Sequence, residues 1–157
     1  MTITEYKPLH KQVQPISFLF FRTETTLAEL GNFFHVANEL YAEALKHNLS
    51  VTGPVHWHYF GFMGDAGKPF TLEISLPVAE VLSGYDGRFH FKRTEPFNCV
   101  SLIHEGNWLE MTRSYEKIME HVMKYQLTPV GVNREIYVNV DFVNTEANVT
   151  EVQLGIL

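Results

Sequence analysis

The chain has 157 residues, 45% hydrophobic and 19% charged, with a formal net charge of −6. Its 12 basic residues are scattered and outnumbered by 18 acidic ones, which argues against a phosphate-backbone partner because that needs clustered Lys and Arg. A chain this long buries enough surface to stand without disulfides, no apolar run approaches the ~20 residues of a membrane span, and the single Cys99 has no internal partner. A cytoplasmic, reducing setting is therefore expected, with no nucleic acid bound directly and no membrane contact.

In chain order, residues 1–15 read as a leader carrying Pro8 and Pro15. Ile16 to Arg22 is a short apolar run, read as a buried strand. Thr26, three residues before Glu29, has the spacing of a capping box. Leu27, Leu30, Phe34, Ala37, Tyr41 and Ala44 then mark one helical stripe, ending before Gly53-Pro54. Val55–Phe62 and Phe70–Val78 follow as strands joined by the loop Asp65–Pro69, and Gly84–Gly87 is a turn between halves. Phe97 to His104 is again a strand. Asn107 caps a helix whose stripe is Trp108, Met111, Tyr115, Ile118, Val122 and Tyr125, and Pro129 and Gly131 end it. Arg134–Phe142 and Val149–Leu157 close the chain as strands.

Each half thus reads strand–helix–strand–strand. Leu49 answers Leu127, Gly53 answers Gly131, Tyr59 answers Tyr137 and Glu73 answers Glu151, always at the same separation. The expected fold is α+β: one domain over 1–157, built from tandem repeats over about 16–79 and 95–157. These form an antiparallel sheet with two long helices on one face and a ligand groove between the halves.

Strand alternation sorts the side chains. Ile136, Val138 and Val140 are expected to pack on the helices, with Phe60 and Phe62 at core parity. Trp57, Tyr59, Tyr137, Glu73, Glu135 and Glu151 are then expected together on the other face. A solvated sheet face would explain the acids but not a Trp and two Tyr on one exposed surface. A concave site with aromatic walls and an acidic floor explains both, and it suits a hydrophobic, cationic or planar organic ligand. A carboxylate in an apolar wall also suits acid–base work. His56 and His58 share a strand face at metal-pair spacing, but no third ligand is placed, so two ordinary histidines are the simpler reading. Cys99 reads as a small buried hydrophobe. No phosphate loop, nucleophile elbow or zinc motif is present, and no cofactor is expected.

The run from His104 to Asp141 resembles the gyrase-inhibitor-like small-molecule-binding domain. It carries that family's His-x-Gly at the start of the second helix (His104, Gly106), its Leu-x-Pro-x-Gly exit (Leu127, Pro129, Gly131) and its Arg-Glu-Ile-Tyr strand (Arg134 to Tyr137). Thr150 to Leu157 resembles the family's last strand, while Ala37–Val55 and Thr71–Val78 match more loosely. The resemblance implies a tandem strand–helix–strand–strand fold with a ligand groove, used as the effector-sensing domain of AraC-type and MerR-type multidrug regulators. It also implies a pocket glutamate at Glu135 with aromatic walls at Trp57, Tyr59 and Tyr137. Trp108 stands where Tyr is more usual after the glycine, and it joins the ligand-facing set. The last strand ends in LGIL where a proline is common. Stand-alone members include a gyrase inhibitor and hydrolases that open cyclopropane-bearing genotoxins. Three functions are therefore weighed: binding a hydrophobic or cationic small molecule, hydrolysing a strained ring with Glu135 as catalytic residue, or inhibiting a protein partner such as gyrase.

Overall fold

Alternating hydrophobicity makes strands here, and the computed structural model, which describes residues 5–62 and 64–157, contains eight of them. They are β1 (Leu9–Val13), β2 (Ser17–Thr25), β3 (His56–Phe60), β4 (Phe70–Pro77), β5 (His90–Arg93), β6 (Phe97–Glu105), β7 (Pro129–Asn139) and β8 (Val149–Ile156). The helices are α1 (Val36–Lys46) and α2 (Met111–Lys124). Every pairing is antiparallel, in the order β1-β6-β8-β7-β3-β4-β2-β5. Among the described residues no helix is long and apolar enough to cross a membrane.

Two strands were not expected. The leader assigned to 1–15 contains β1, and its residues 1–4 lie outside the described part. The other is β5, which follows the Gly84–Gly87 turn. The chain passes from β1 into β2 through residues 14–16 and from β5 into β6 through 94–96. Yet β1 pairs with β6 and β5 pairs with β2. Three residues span no more than roughly 11 Å, so the two ends of the sheet must lie close together. Ile16 and Thr94 join them: the Thr94 N–H donates to the Ile16 carbonyl at 2.9 Å, and the Ile16 N–H donates to Thr94 Oγ1 at 3.0 Å. The sheet therefore wraps around.

Both helices cover one face of the sheet. α1 buries Val36, Leu40 and Ala44 against Leu19, Leu72, Ile74 and Leu76, and α2 buries Met111, Ile118 and Val122 against Val100, Leu102 and Val152. Burying Leu40 completely contributes about 1.5–3 kcal/mol. The second stripe forms through Met111, Ile118 and Val122, with Trp108 and Tyr115 partly buried beside them, but Tyr125 is exposed. Asn107 caps a short 3₁₀ turn, Trp108–Glu110, ahead of α2, accepting from the Leu109 N–H at 2.9 Å. The first helix departs further. A 3₁₀ segment, Leu27–Phe33, precedes α1, Thr26 makes no side-chain cap bond, and the buried stripe shifts to Val36, Leu40 and Ala44. The tighter 3₁₀ winding advances the phase of everything after it, which leaves Phe34 half exposed.

The helices also end alike. Asn48 and Gln126 both take φ 54, and the next residues fold back, Leu49 N–H to Ala44 and Leu127 N–H to Val122, each at 2.9 Å. This left-handed closure satisfies otherwise orphaned carbonyls without a glycine.

Candidate functional site

The register decides which side chains meet. Trp57 pairs with Ile74 on one side and Glu135 on the other, and Glu135 pairs in turn with Val152. Directly paired residues share a face, so Trp57 and Glu135 look toward the helices with Ile74 and Val152. Tyr59 and Tyr137 share their parity. By the same logic Glu73 pairs with His58, and Glu151 pairs with Ile136, placing both acids on the opposite face. This corrects the expected grouping: Trp57, Tyr59, Glu135 and Tyr137 are together under the helices, and Glu73 and Glu151 are elsewhere. Ile136 is buried on the far face, while Val138 and Val140 are exposed. Apolarity favoured the wrong parity in β7, because the carboxylate faces inward and is satisfied there.

Glu135 is 8% exposed. Its Oε1 accepts from Tyr59 Oη at 3.0 Å and Tyr137 Oη at 2.6 Å, and its Oε2 accepts from Tyr115 Oη at 2.5 Å. Asn133 Nδ2 donates to Tyr115 Oη at 2.9 Å, fixing that phenol from the other side. Burial, and then the neighbouring Glu135 carboxylate, push all three tyrosines well above the usual phenol range. They therefore stay protonated and donate. No basic side chain forms an ion pair with Glu135 among the described residues.

Aromatic rings lead outward from this carboxylate. Tyr137 meets Trp57 edge-on at 5.9 Å and Trp108 at 5.5 Å between ring centres. Phe34 lies 5.9 Å from Trp57 and 6.2 Å from Trp108, and Phe142 lies 5.8 Å from Trp108 and 6.1 Å from Phe34. Trp108 Nε1 donates to Thr150 Oγ1 at 3.1 Å, which orients its ring. Exposure rises along the series, from buried Trp57 to Phe34 and Phe142 at 50% and 67%. The rings fill the space over the acid with their own edges and faces.

Sequence reasoning missed Tyr115, Asn133, Phe34 and Phe142. Tyr115 was visible as the polar-tipped member of the second helical stripe, and such a residue usually finds a partner when buried. Phe142 reads in the sequence as the end of the strand Arg134–Phe142, but β7 stops at Asn139 and Phe142 lies on the loop that follows.

The opposite-face residues are engaged with one another. Glu73 Oε2 accepts from Arg22 Nε and pairs with Nη2, both at 2.7 Å, and its Oε1 accepts from Lys92. Glu151 Oε2 accepts from Ser101 at 2.8 Å and Gln153 at 2.6 Å and pairs with Lys11 at 2.5 Å. Burial raises the Glu151 pKa, but the bonds from Gln153, Lys11 and Ser101 outweigh it and leave the group below its ordinary value. His56 Nδ1 and His58 Nε2 lie 3.1 Å apart, bonded to each other, and the next group at His58 is the Lys92 ammonium at 3.5 Å. Burial, the largest cause, lowers His56 to about 3 and His58 well below its usual value. Cys99 is fully buried, and burial pushes its thiol up to about 11.

The solved structures that superpose on the chain give it the gyrase-inhibitor-like fold. Among solved structures that share it, the EcmrR C-terminal domain superposes with a TM-score of 0.80 at 16% identity, over 98% of this chain and 99% of that one. In the EcmrR–DNA complex the TM-score is 0.81 at 16% identity over 96% of this chain, which spans 57% of that longer chain. SAV2435, solved with tetraphenylphosphonium bound, matches with a TM-score of 0.60 at 13% identity, over 98% and 94% of the two chains. A hydrolase from Listeria innocua matches with a TM-score of 0.70 at 16% identity, over 96% and 92%. At these identities the likeness is one of fold. No protein-family model matches the chain, and no curated protein matches it by sequence.

Proposed function

We propose that the chain binds a hydrophobic organic cation at Glu135, in a groove between its two halves, and so acts as a drug- or toxin-sensing or sequestering protein. The observation that carries this is a buried carboxylate with no basic partner among the described residues, reached through the rings of Tyr137, Trp57 and Trp108. Three tyrosine hydroxyls hold that carboxylate in place of a cation. A ligand cation would sit against aromatic faces, each contact adding ~0.5–2 kcal/mol, while its charge meets Glu135. Phe34 and Phe142 must swing aside to admit it, and both sit on connecting segments where the cost of movement is low. SAV2435, of the same fold, was solved with a cation of this class.

The groove follows from reading 16–79 and 95–157 as repeats, and several observations support that reading. Ile16 and Thr94, 78 positions apart, bond to each other. Asn48 and Gln126, at the same separation, close the two helices at the same φ of 54. Trp57 and Glu135, again so separated, are direct partners across β3 and β7. A pseudo-two-fold axis through that last pair would give the site one aromatic wall and one acidic wall.

Titration with tetraphenylphosphonium, followed by tryptophan fluorescence, tests the proposal. Saturable quenching of Trp57 and Trp108 is expected, and Glu135→Gln should weaken binding at least tenfold, about 1.4 kcal/mol. Absence of saturable quenching, or equal affinity in Glu135→Gln, overturns it. The Glu135–tyrosine cluster also contains the acid–base groups a strained-ring hydrolase needs, and a Listeria neighbour of this fold is a hydrolase. Turnover of an electrophilic cyclopropane that is abolished in Glu135→Ala would establish that use of the site instead.

A further inference from the structure

The sheet face opposite the helices carries a second cluster of the reverse electrical character. Arg22, Glu73, His58, Arg134, Gln153 and Ser101 are successive cross-strand partners, forming one polar row across β2, β4, β3, β7, β8 and β6. All but Arg22 are buried, although no helix covers this face. The wrapped sheet itself shields them.

Within this cluster four cations, Lys11, Arg22, Lys92 and Arg134, face two acids, Glu73 and Glu151. Both acids are committed: Glu73 to Arg22 and Lys92, Glu151 to Lys11, Ser101 and Gln153. Arg134 is left over. It is 5% exposed, and its buried Nε and Nη1 have no hydrogen-bond partner. The Phe97 ring lies 3.9 Å from its guanidinium carbon, covering one face of the group. Gly155 makes room for that ring, because a Cβ there would come within 2.8 Å of it. Ser75 Oγ and Gln153 Oε1, on the same sheet face, are also buried without partners. A buried, unpaired guanidinium is expensive unless an anion completes it. Burial lowers Arg134 only to about 10, so it remains charged at neutral pH. His56 and His58 are neutral there and contribute no compensating charge.

We propose that this face is a binding site for a small oxyanion, a carboxylate or an inorganic phosphate, received by the Arg134 guanidinium with Lys92 as the second positive charge. The planar fork of Arg134 suits two oxygens of one anion. Lys92 is partly exposed and bridges the cluster to solvent, between Glu73 and His58. The chain would then have two ligand faces of opposite preference, cation under the helices and anion behind the sheet.

The test uses the full chain labelled at arginine, following the Nε–Hε resonances at constant ionic strength. Sodium phosphate and sodium acetate are titrated separately against a sodium chloride control. A saturable shift of Arg134 with phosphate, acetate or both, while exposed Arg88 stays still, is the expected result, and which salt acts identifies the anion. Lys92→Met should weaken that response about tenfold. If Arg134 shifts with neither salt, or moves only in step with Arg88, the site is refuted, and a water linking Arg134 to Gln153 Oε1 is the better account. An unchanged affinity in Lys92→Met would likewise overturn the assignment.

Discussion

The two faces of this sheet deal with buried charge in opposite ways. Under the helices one carboxylate, Glu135, is held by three neutral hydroxyls and ringed by aromatics. Behind the sheet, Glu73 and Glu151 are matched with Arg22, Lys92 and Lys11 in ion pairs. Charges neutralised within the protein mainly fix structure. A charge supported only by dipoles keeps its field available to something that arrives from outside. On the proposed function, the contrast separates the acids that hold the sheet together from the acid that would meet a ligand.

Breaking the far-face pairing should have the largest effect on stability. Glu73→Gln leaves Lys92 and Arg22 without their acid and should cost roughly 2–3 kcal/mol in urea unfolding. Fully buried pairs cost more when broken, but Arg22 remains half exposed and hydrated. Acid should act on the same face. His56, held at about 3 when folded against 6.5 when free, is neutral in the folded chain and protonates on unfolding. The stability it supports is full above pH 6.5 and is lost as the pH falls toward about 3, amounting to roughly 2 kcal/mol by pH 5. His56→Gln should flatten the dependence of the urea midpoint on pH between those values, whereas a slope unchanged by that substitution would assign it to other groups.

Under the helices the effects on stability should be smaller. Tyr115→Phe removes one of three donors to Glu135 and should cost about 1–2 kcal/mol in thermal or urea unfolding, with the remaining two phenols still holding the carboxylate. Phe142→Ala should change stability by less than about 0.5 kcal/mol, since that ring is largely exposed. It should nevertheless raise the stopped-flow association rate of tetraphenylphosphonium several-fold. An unaltered rate would show that Phe142 does not obstruct the way to Glu135.

Periodicity made six of the strands and the second helix readable, and it placed Trp57 and Glu135 in one same-face set, which β3 and β7 pair directly. Which face they occupy was not readable. Alternation sorts a strand into two sets, but only cross-strand register says which set meets the helices. In β3 both sets are amphipathic, His56 and His58 against Trp57 and Tyr59. In β7 the more apolar set, Ile136 and Val138, lies on the wrong side, because Tyr115 supplies from a distant helix the hydroxyl that makes a buried Glu135 tolerable. Strands β1 and β5 were invisible for another reason. They are short, mostly exposed edge segments, and polar residues suit an edge as well as a loop.

The crossing of those two edge strands has a consequence for synthesis. Leu9 must wait for Ser101 before β1 can pair, and β5, although made earlier, leads into the strand that β1 is waiting for. At about 5–20 residues per second, the first strand stays uncommitted for roughly 5–18 s after it is made. Until β6 emerges the sheet cannot wrap, so the face of β2 and β3 that carries Phe18, Phe20 and the histidines stays open, and the newly made chain is vulnerable to association or proteolysis through that interval.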